Sequence, residues 1–192
     1  MASLVLSGDT SGSITVSAPA VAGSTTQTLV ATSGTLAPLV SGTSITLTNQ
    51  TAPAFTDIPS WAKRITLMFQ AVSINSTGSP LIQLGTGSTP TYTTSGYLSS
   101  SAAMDSLVGT ASFTTGFGIQ SVIASAVLNG NIIISNINGN AWTASGNLAH
   151  SNTAAFTVTA GSVSLGAQLT ALRLFVNGTI QFDAGTINIL FE

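Results

Sequence analysis

The chain has 192 residues, only 4% of them charged: three Lys or Arg, five Asp or Glu, one His and no Cys. A soluble domain is usually about one quarter charged, so cations are too few here for a nucleic-acid footprint and titratable groups too few for acid–base catalysis. The composition also excludes disulfide and thiolate chemistry, and apolar runs such as Ile132-Ile133-Ile134 fall far short of the roughly 18 residues of a membrane-spanning helix.

Apolar residues make up 44% of the chain, enough to bury a real core, and are spread through a matrix of Ser, Thr, Asn and Gly. The formal net charge is −2, and a nearly neutral surface of hydroxyls and amides favours association. These properties point to a structural or adhesive β-protein that packs against copies of itself. No Lys or Arg precedes Lys63. That argues against a charged secretory leader and for a protein made in the cytoplasm without a signal peptide.

Residues 1–54 read as a Ser/Thr-rich β arm with one charge, Asp9, and no aromatic residue before position 55. Its phrases Ser13-Ile14-Thr15-Val16-Ser17 and Ser44-Ile45-Thr46-Leu47-Thr48 alternate as half-buried strands do. Ser11-Gly12-Ser13-Ile14-Thr15-Val16 and Gly42-Thr43-Ser44-Ile45-Thr46-Leu47 are similar enough to suggest two copies of one β-unit. Attachment or contacts between subunits is the expected role of the arm.

Residues 55–192 read as one antiparallel domain of about eight strands with no helix. In the 63–73 strand, Ile65, Leu67, Phe69 and Ala71 alternate with Arg64, Thr66 and Gln70, and Met68 is the apolar exception. Three Asn-Gly pairs, at 129–130, 138–139 and 177–178, predict two-residue hairpin turns. The first two predict a meander with Val127 facing Ile132 and Trp142 facing Ser135. The third places Arg173 opposite Phe182 and Leu172 opposite Asp183, which keeps Arg173 and Asp183 unpaired. Asp183-Ala184-Gly185 reads as a turn into a last strand carrying Ile187, Ile189 and Phe191. A β-sandwich of jelly-roll type is the natural architecture.

Candidate sites are few. Asp57, Lys63 and Arg64 bring three of the charges close in sequence, around Trp61. With Met68 they form a candidate subunit-docking surface. Tyr92, Tyr97 and Trp142 are candidate glycan contacts, because an amphipathic ring can stack on a sugar while its polar edge hydrogen-bonds. Both tyrosines fall in 86–101, which reads as a long surface loop. His150, the only histidine, is expected on the surface in the 147–152 loop, and no metal-ligand spacing surrounds it. No catalytic residue, metal or cofactor is expected.

Three phrases carry a family resemblance. Ser7-Gly8-Asp9-Thr10-Ser11-Gly12-Ser13-Ile14-Thr15-Val16, with Ala18-Pro19-Ala20-Val21-Ala22-Gly23 after it, resembles a segment recurring in fibre-like proteins of tailed bacteriophages. The stretch from Phe55-Thr56-Asp57-Ile58-Pro59-Ser60-Trp61 to Phe69 resembles the opening of a C-terminal domain in the same group. Phe182-Asp183-Ala184-Gly185-Thr186-Ile187-Asn188-Ile189-Leu190-Phe191-Glu192 is similar to its close. The resemblance implies a non-enzymatic virion surface protein whose 55–192 domain forms a homotrimer, with other tail or capsid proteins and host glycans as further partners. A capsid-decorating (cement or head-fibre) protein of the same fold and an independent carbohydrate-binding module are the alternatives. Neither nucleic acid nor membrane insertion is implied.

Overall fold

In a computed structural model of the chain, residues 3–7, 11–17, 38–104, 108–120, 122–152 and 154–192 are described. Expectations that fall on residues 8–10 and 18–37, including Asp9 and the Ala18-to-Gly23 phrase, lie outside them. All regular structure among the described residues is β. In chain order the strands are β1 (Ser3–Ser7), β2 (Ser13–Ser17), β3 (Val40–Ser41), β4 (Ile45–Thr46), β5 (Ala54–Phe55), β6 (Arg64–Ile74), β7 (Leu81–Thr86) and β8 (Thr91–Tyr92). They continue as β9 (Leu98–Met104), β10 (Val108–Phe113), β11 (Phe117–Gly118), β12 (Leu128–Asn138), β13 (Ala141–His150), β14 (Ala155–Ser164), β15 (Leu169–Phe175) and β16 (Phe182–Phe191).

The chain divides into two units, Met1–Leu36 and Ala37–Glu192. In the first, β1 and β2 pair antiparallel, with Leu4 opposite Val16, and Leu4, Val5, Leu6 and Val16 are all more than half exposed. The second unit is a sandwich. Its larger sheet has nine strands ordered β10-β9-β14-β13-β12-β6-β16-β3, with β4 also on β16. Its smaller sheet has five, ordered β11-β7-β15-β5 with β8 on β7. One apolar cluster contains side chains from both sheets, among them Ile65, Leu67, Ile132, Ile134 and Trp142 from the larger and Ile82, Leu84, Leu172 and Leu174 from the smaller. Each such buried side chain contributes about 1.5–3 kcal/mol. The all-β sandwich expected from the sequence is therefore present, divided nine and five rather than into the four-stranded sheets of a simple jelly roll.

The domain begins earlier than residue 55. Segment 40–50 runs along the free edge of β16, where Gly42, Leu47 and Gln50 donate backbone hydrogen bonds to Ile189, Gly185 and Phe182 at 2.8, 2.9 and 3.1 Å. Leu47 is buried in the main core. The two similar phrases are thus not copies of one unit: the first is a hairpin strand on β1, the second an edge segment on β16.

In β6 the alternation holds for Ile65, Leu67 and Phe69, then breaks. Ala71 is exposed with φ 52°, and the buried positions move to Val72 and Ile74. The cause is a bulge: the register slips against β12 between Phe69 and Val72 and against β16 on either side of Ala184. Gly185, at φ +98°, nests against it, since a Cβ there would lie 2.4 Å from the Ala71 carbonyl oxygen. Asp183-Ala184-Gly185 is accordingly a bulged stretch within β16, not a turn.

Two of the three Asn-Gly hairpins are not formed. Asn129-Gly130 lies inside β12, because β13 and β6 offer backbone partners on both sides, so Val127 does not face Ile132. Asn177-Gly178 joins β15 in the smaller sheet to β16 in the larger, so Arg173 pairs with Gln83 and Leu172 with Leu84 and Phe55. Asn138-Gly139 does make a hairpin. The turn residues are Gly139 and Asn140, and the register slips between Asn136 and Asn138, which puts Trp142 opposite Asn136 rather than Ser135.

Candidate functional site

Strands β10, β9, β14, β13 and β12 lie side by side and carry no Lys, Arg, Asp or Glu. Their inward face differs between the two ends. Toward β12 and β13 it is apolar, with Ile132, Ile134, Trp142 and Leu148 buried. Toward β9 and β14 it bears Ser99, Ser101, Thr157 and Thr159, also buried. These hydroxyls satisfy the backbone beside β11: Gly118 donates to Ser99 at 3.3 Å, Gln120 donates to Ser101 at 3.1 Å, and Thr157 donates to the Gln120 carbonyl at 3.2 Å. Buried polar groups need such partners.

The outward face keeps apolar side chains in the open. Met104 sits opposite Phe156 and Ala102 opposite Val158. Met104 is 40%, Phe156 51% and Leu98 76% exposed. A shallow groove of about 290 Å³ runs over Ala102 between Thr110 and Val158. Among the described residues the outer strand β10 pairs only with β9, and the strand itself carries neither Pro nor charge, two usual protections of a sheet edge.

The candidate docking residues separate into groups. Arg64 and Met68 lie on the outward face of β6, with Met68 between Asn131 of β12 and Asn188 of β16. Arg64 forms an ion pair with Glu192, and the Lys63 and Arg64 amides donate to the Glu192 carbonyl at 2.7 and 2.9 Å. Trp61 packs its ring on Phe191, with centroids 5.6 Å apart and planes at 49°. Asp57 is not with them: it accepts from the Thr56 hydroxyl at 2.9 Å and borders a separate hollow formed with Gly87, Pro90 and Thr170. The carboxylate partner of Arg64 comes from the far end of the sequence, which local spacing does not reveal.

The candidate glycan platforms also separate. Tyr97 is fully buried, its ring edge-on to Phe117 at 5.0 Å and 89°. Its hydroxyl accepts the Leu84 amide at 2.8 Å, and burial pushes its pKa up to about 12. Trp142 is 2% exposed in the main core. Neither ring can stack on a sugar, because both are core side chains. The segment around the tyrosines is not one long loop, since β8 forms and Tyr97 anchors the chain before β9. Tyr92 alone is partly exposed, and its ring carries the Arg173 guanidinium 4.2 Å from its centroid.

His150 is not on a surface loop. Strand β13 extends to it, the side chain is buried, and its Nε2 lies 2.9 Å from the Thr157 hydroxyl. Among the described residues no three His, Asp or Glu side chains converge on a possible metal position, and no helix is long and apolar enough to cross a membrane. No known protein family model matches the chain, and no curated protein is detectably similar to it.

Proposed function

We propose that this is a non-enzymatic structural protein of a tailed-phage virion surface that assembles with itself as a homotrimer. The observation that carries the assembly reading is the charge-free run β10-β9-β14-β13-β12, with exposed Met104 and Phe156 and an unprotected edge strand. Removing such a surface from water is favourable at about 25 cal/mol per Å² of apolar area. No charge on those five strands has to be desolvated when two copies meet. The virion assignment rests on the three phrases similar to phage fibre-like proteins, two of which lie on β6 and β16, neighbours in the larger sheet. Host adhesion and contacts with other tail or capsid proteins belong to the same reading.

The test is a Phe156→Asp, Val158→Asp double variant, followed by light scattering and far-ultraviolet circular dichroism. Both side chains point outward, so the β-signal should persist while the assembly mass falls. Full assembly in the variant, or a wild-type protein monomeric at every concentration, would overturn the reading.

A further inference from the structure

The outward face of the smaller sheet holds a cationic site that the assembly reading does not use. Arg173 lies directly across from Gln83, whose side chain is only 2% exposed. The Gln83 Oε1 accepts from the Arg173 Nε at 2.8 Å, and its Nε2 donates to the Thr115 carbonyl at 2.7 Å. A second bond therefore fixes the amide that holds the guanidinium. The guanidinium carbon lies 4.2 Å from the Tyr92 ring centroid and 4.9 Å from that of Phe175. Gly85 is the seat for the tyrosine: a Cβ there would come within 3.0 Å of the Tyr92 ring.

One guanidinium is thus held by two rings and one buried amide. Among the described residues the one ion pair is Arg64 with Glu192, and no carboxylate pairs with Arg173. Among the described residues its Nη atoms make no hydrogen bond, and neither does the Tyr92 hydroxyl. With Nε taken by Gln83, the free end of the guanidinium presents two parallel donors, the fork that matches a carboxylate. Fixing the donors beforehand reduces the ordering cost of binding.

We propose that Arg173, with Tyr92, is a recognition site for the carboxylate of an acidic sugar. The guanidinium geometry stands on its own; the choice of a sugar as the carrier rests on the surface-protein reading above. The phenol hydroxyl adds a hydrogen-bonding group suited to a sugar, and the aromatic edge offers apolar contact.

The experiment is calorimetric titration of the full-length assembled protein with a galacturonate hexamer and with its methyl ester, at low and high salt. The free acid is expected to bind about tenfold or more tightly than the ester, the size of one charge-assisted bond pair, and to weaken with salt. Arg173→Gln should lose that preference, and Arg173→Lys should recover only part of it. Equal binding of acid and ester, no binding at millimolar concentration, or an undiminished preference in Arg173→Gln would overturn the site. Should Arg173→Gln fold poorly, the acid–ester comparison on the unaltered chain decides alone. Light scattering on the same samples separates the two readings. Dissociation of the assembly in Arg173→Gln would mean that a neighbouring copy's carboxylate fills the fork, overturning the sugar site while leaving self-assembly standing.

Discussion

Replacing Tyr97 with Phe tests whether this residue is a core anchor or a sugar platform. The ring stays, with its edge-on contact to Phe117 at 5.0 Å, so the cavity term is close to zero. What is lost is the hydroxyl that accepts the Leu84 amide at 2.8 Å. A buried amide left without an acceptor costs about 1–3 kcal/mol, which sets the expected loss in urea-unfolding free energy at fixed protein concentration. An alkaline titration supplies a second readout. The folded-state pKa of Tyr97 is raised to about 12 from 10.0, chiefly by burial. Between these values the unfolded chain releases a proton that the folded chain retains, so the folded state loses stability as pH rises from 10 to 12. The loss over the two units is about 3 kcal/mol. Tyr92 is shifted in the same direction, again mainly by burial, so Tyr97→Phe should reduce the alkaline slope rather than abolish it. A variant as stable as wild type with an unchanged slope would refute the reasoning, and a stable variant that loses only glycan binding would restore the platform reading.

Further substitutions probe other parts of the account. Gly185→Ala forces a side chain into φ +98° with its Cβ 2.4 Å from the Ala71 carbonyl oxygen. It should cost about 3 kcal/mol or more in thermal unfolding, and a cost under 1 kcal/mol would mean that the two strands do not nest there. Replacing Lys63 and Arg64 with Ala removes an ion pair whose side chains are 56% and 32% exposed. Monomer stability should therefore change by about 1 kcal/mol or less, while size-exclusion chromatography should show a weaker oligomer; unchanged assembly would remove this corner from the docking surface. Trp142→Ala, by contrast, empties a fully enclosed core position and should cost about 3–5 kcal/mol, read as a fall in the urea midpoint.

How far the fold was legible depended on whether its cause was local. The alternation of Ile65, Leu67 and Phe69 is local, and β6 formed as expected. Its bulge at Ala71 depends on Asn129, whose Oδ1 accepts the Ala71 amide at 2.9 Å, and on Gly185; neither is near in sequence. Asn129-Gly130 has the composition of a turn, yet pairing on both edges draws it into a strand. Asn177-Gly178 does lead into a turn, at Gly178 and Thr179, but a turn signal does not specify which sheet the next strand joins. Tyr97 resembled a loop residue because its neighbours are Gly, Ser and Thr, and its partner, the Leu84 amide, is supplied by β7. The Arg173 site was missed because Tyr92 and Gln83 lie far upstream. The alternation of Arg173 and Phe175 with Leu172 and Leu174 was the one local sign that the strand's outward face differs from its core face.

The measurement that bears most directly on the account is the absolute mass in solution of the full chain and of residues 37–192, by light scattering over a range of concentrations. Both should have three times their chain mass, 19.2 kDa for the full chain, because the assembly surface belongs to the sandwich. A trimeric full chain with a monomeric 37–192 unit would move assembly into the first 36 residues, and a monomer in both would contradict self-assembly altogether.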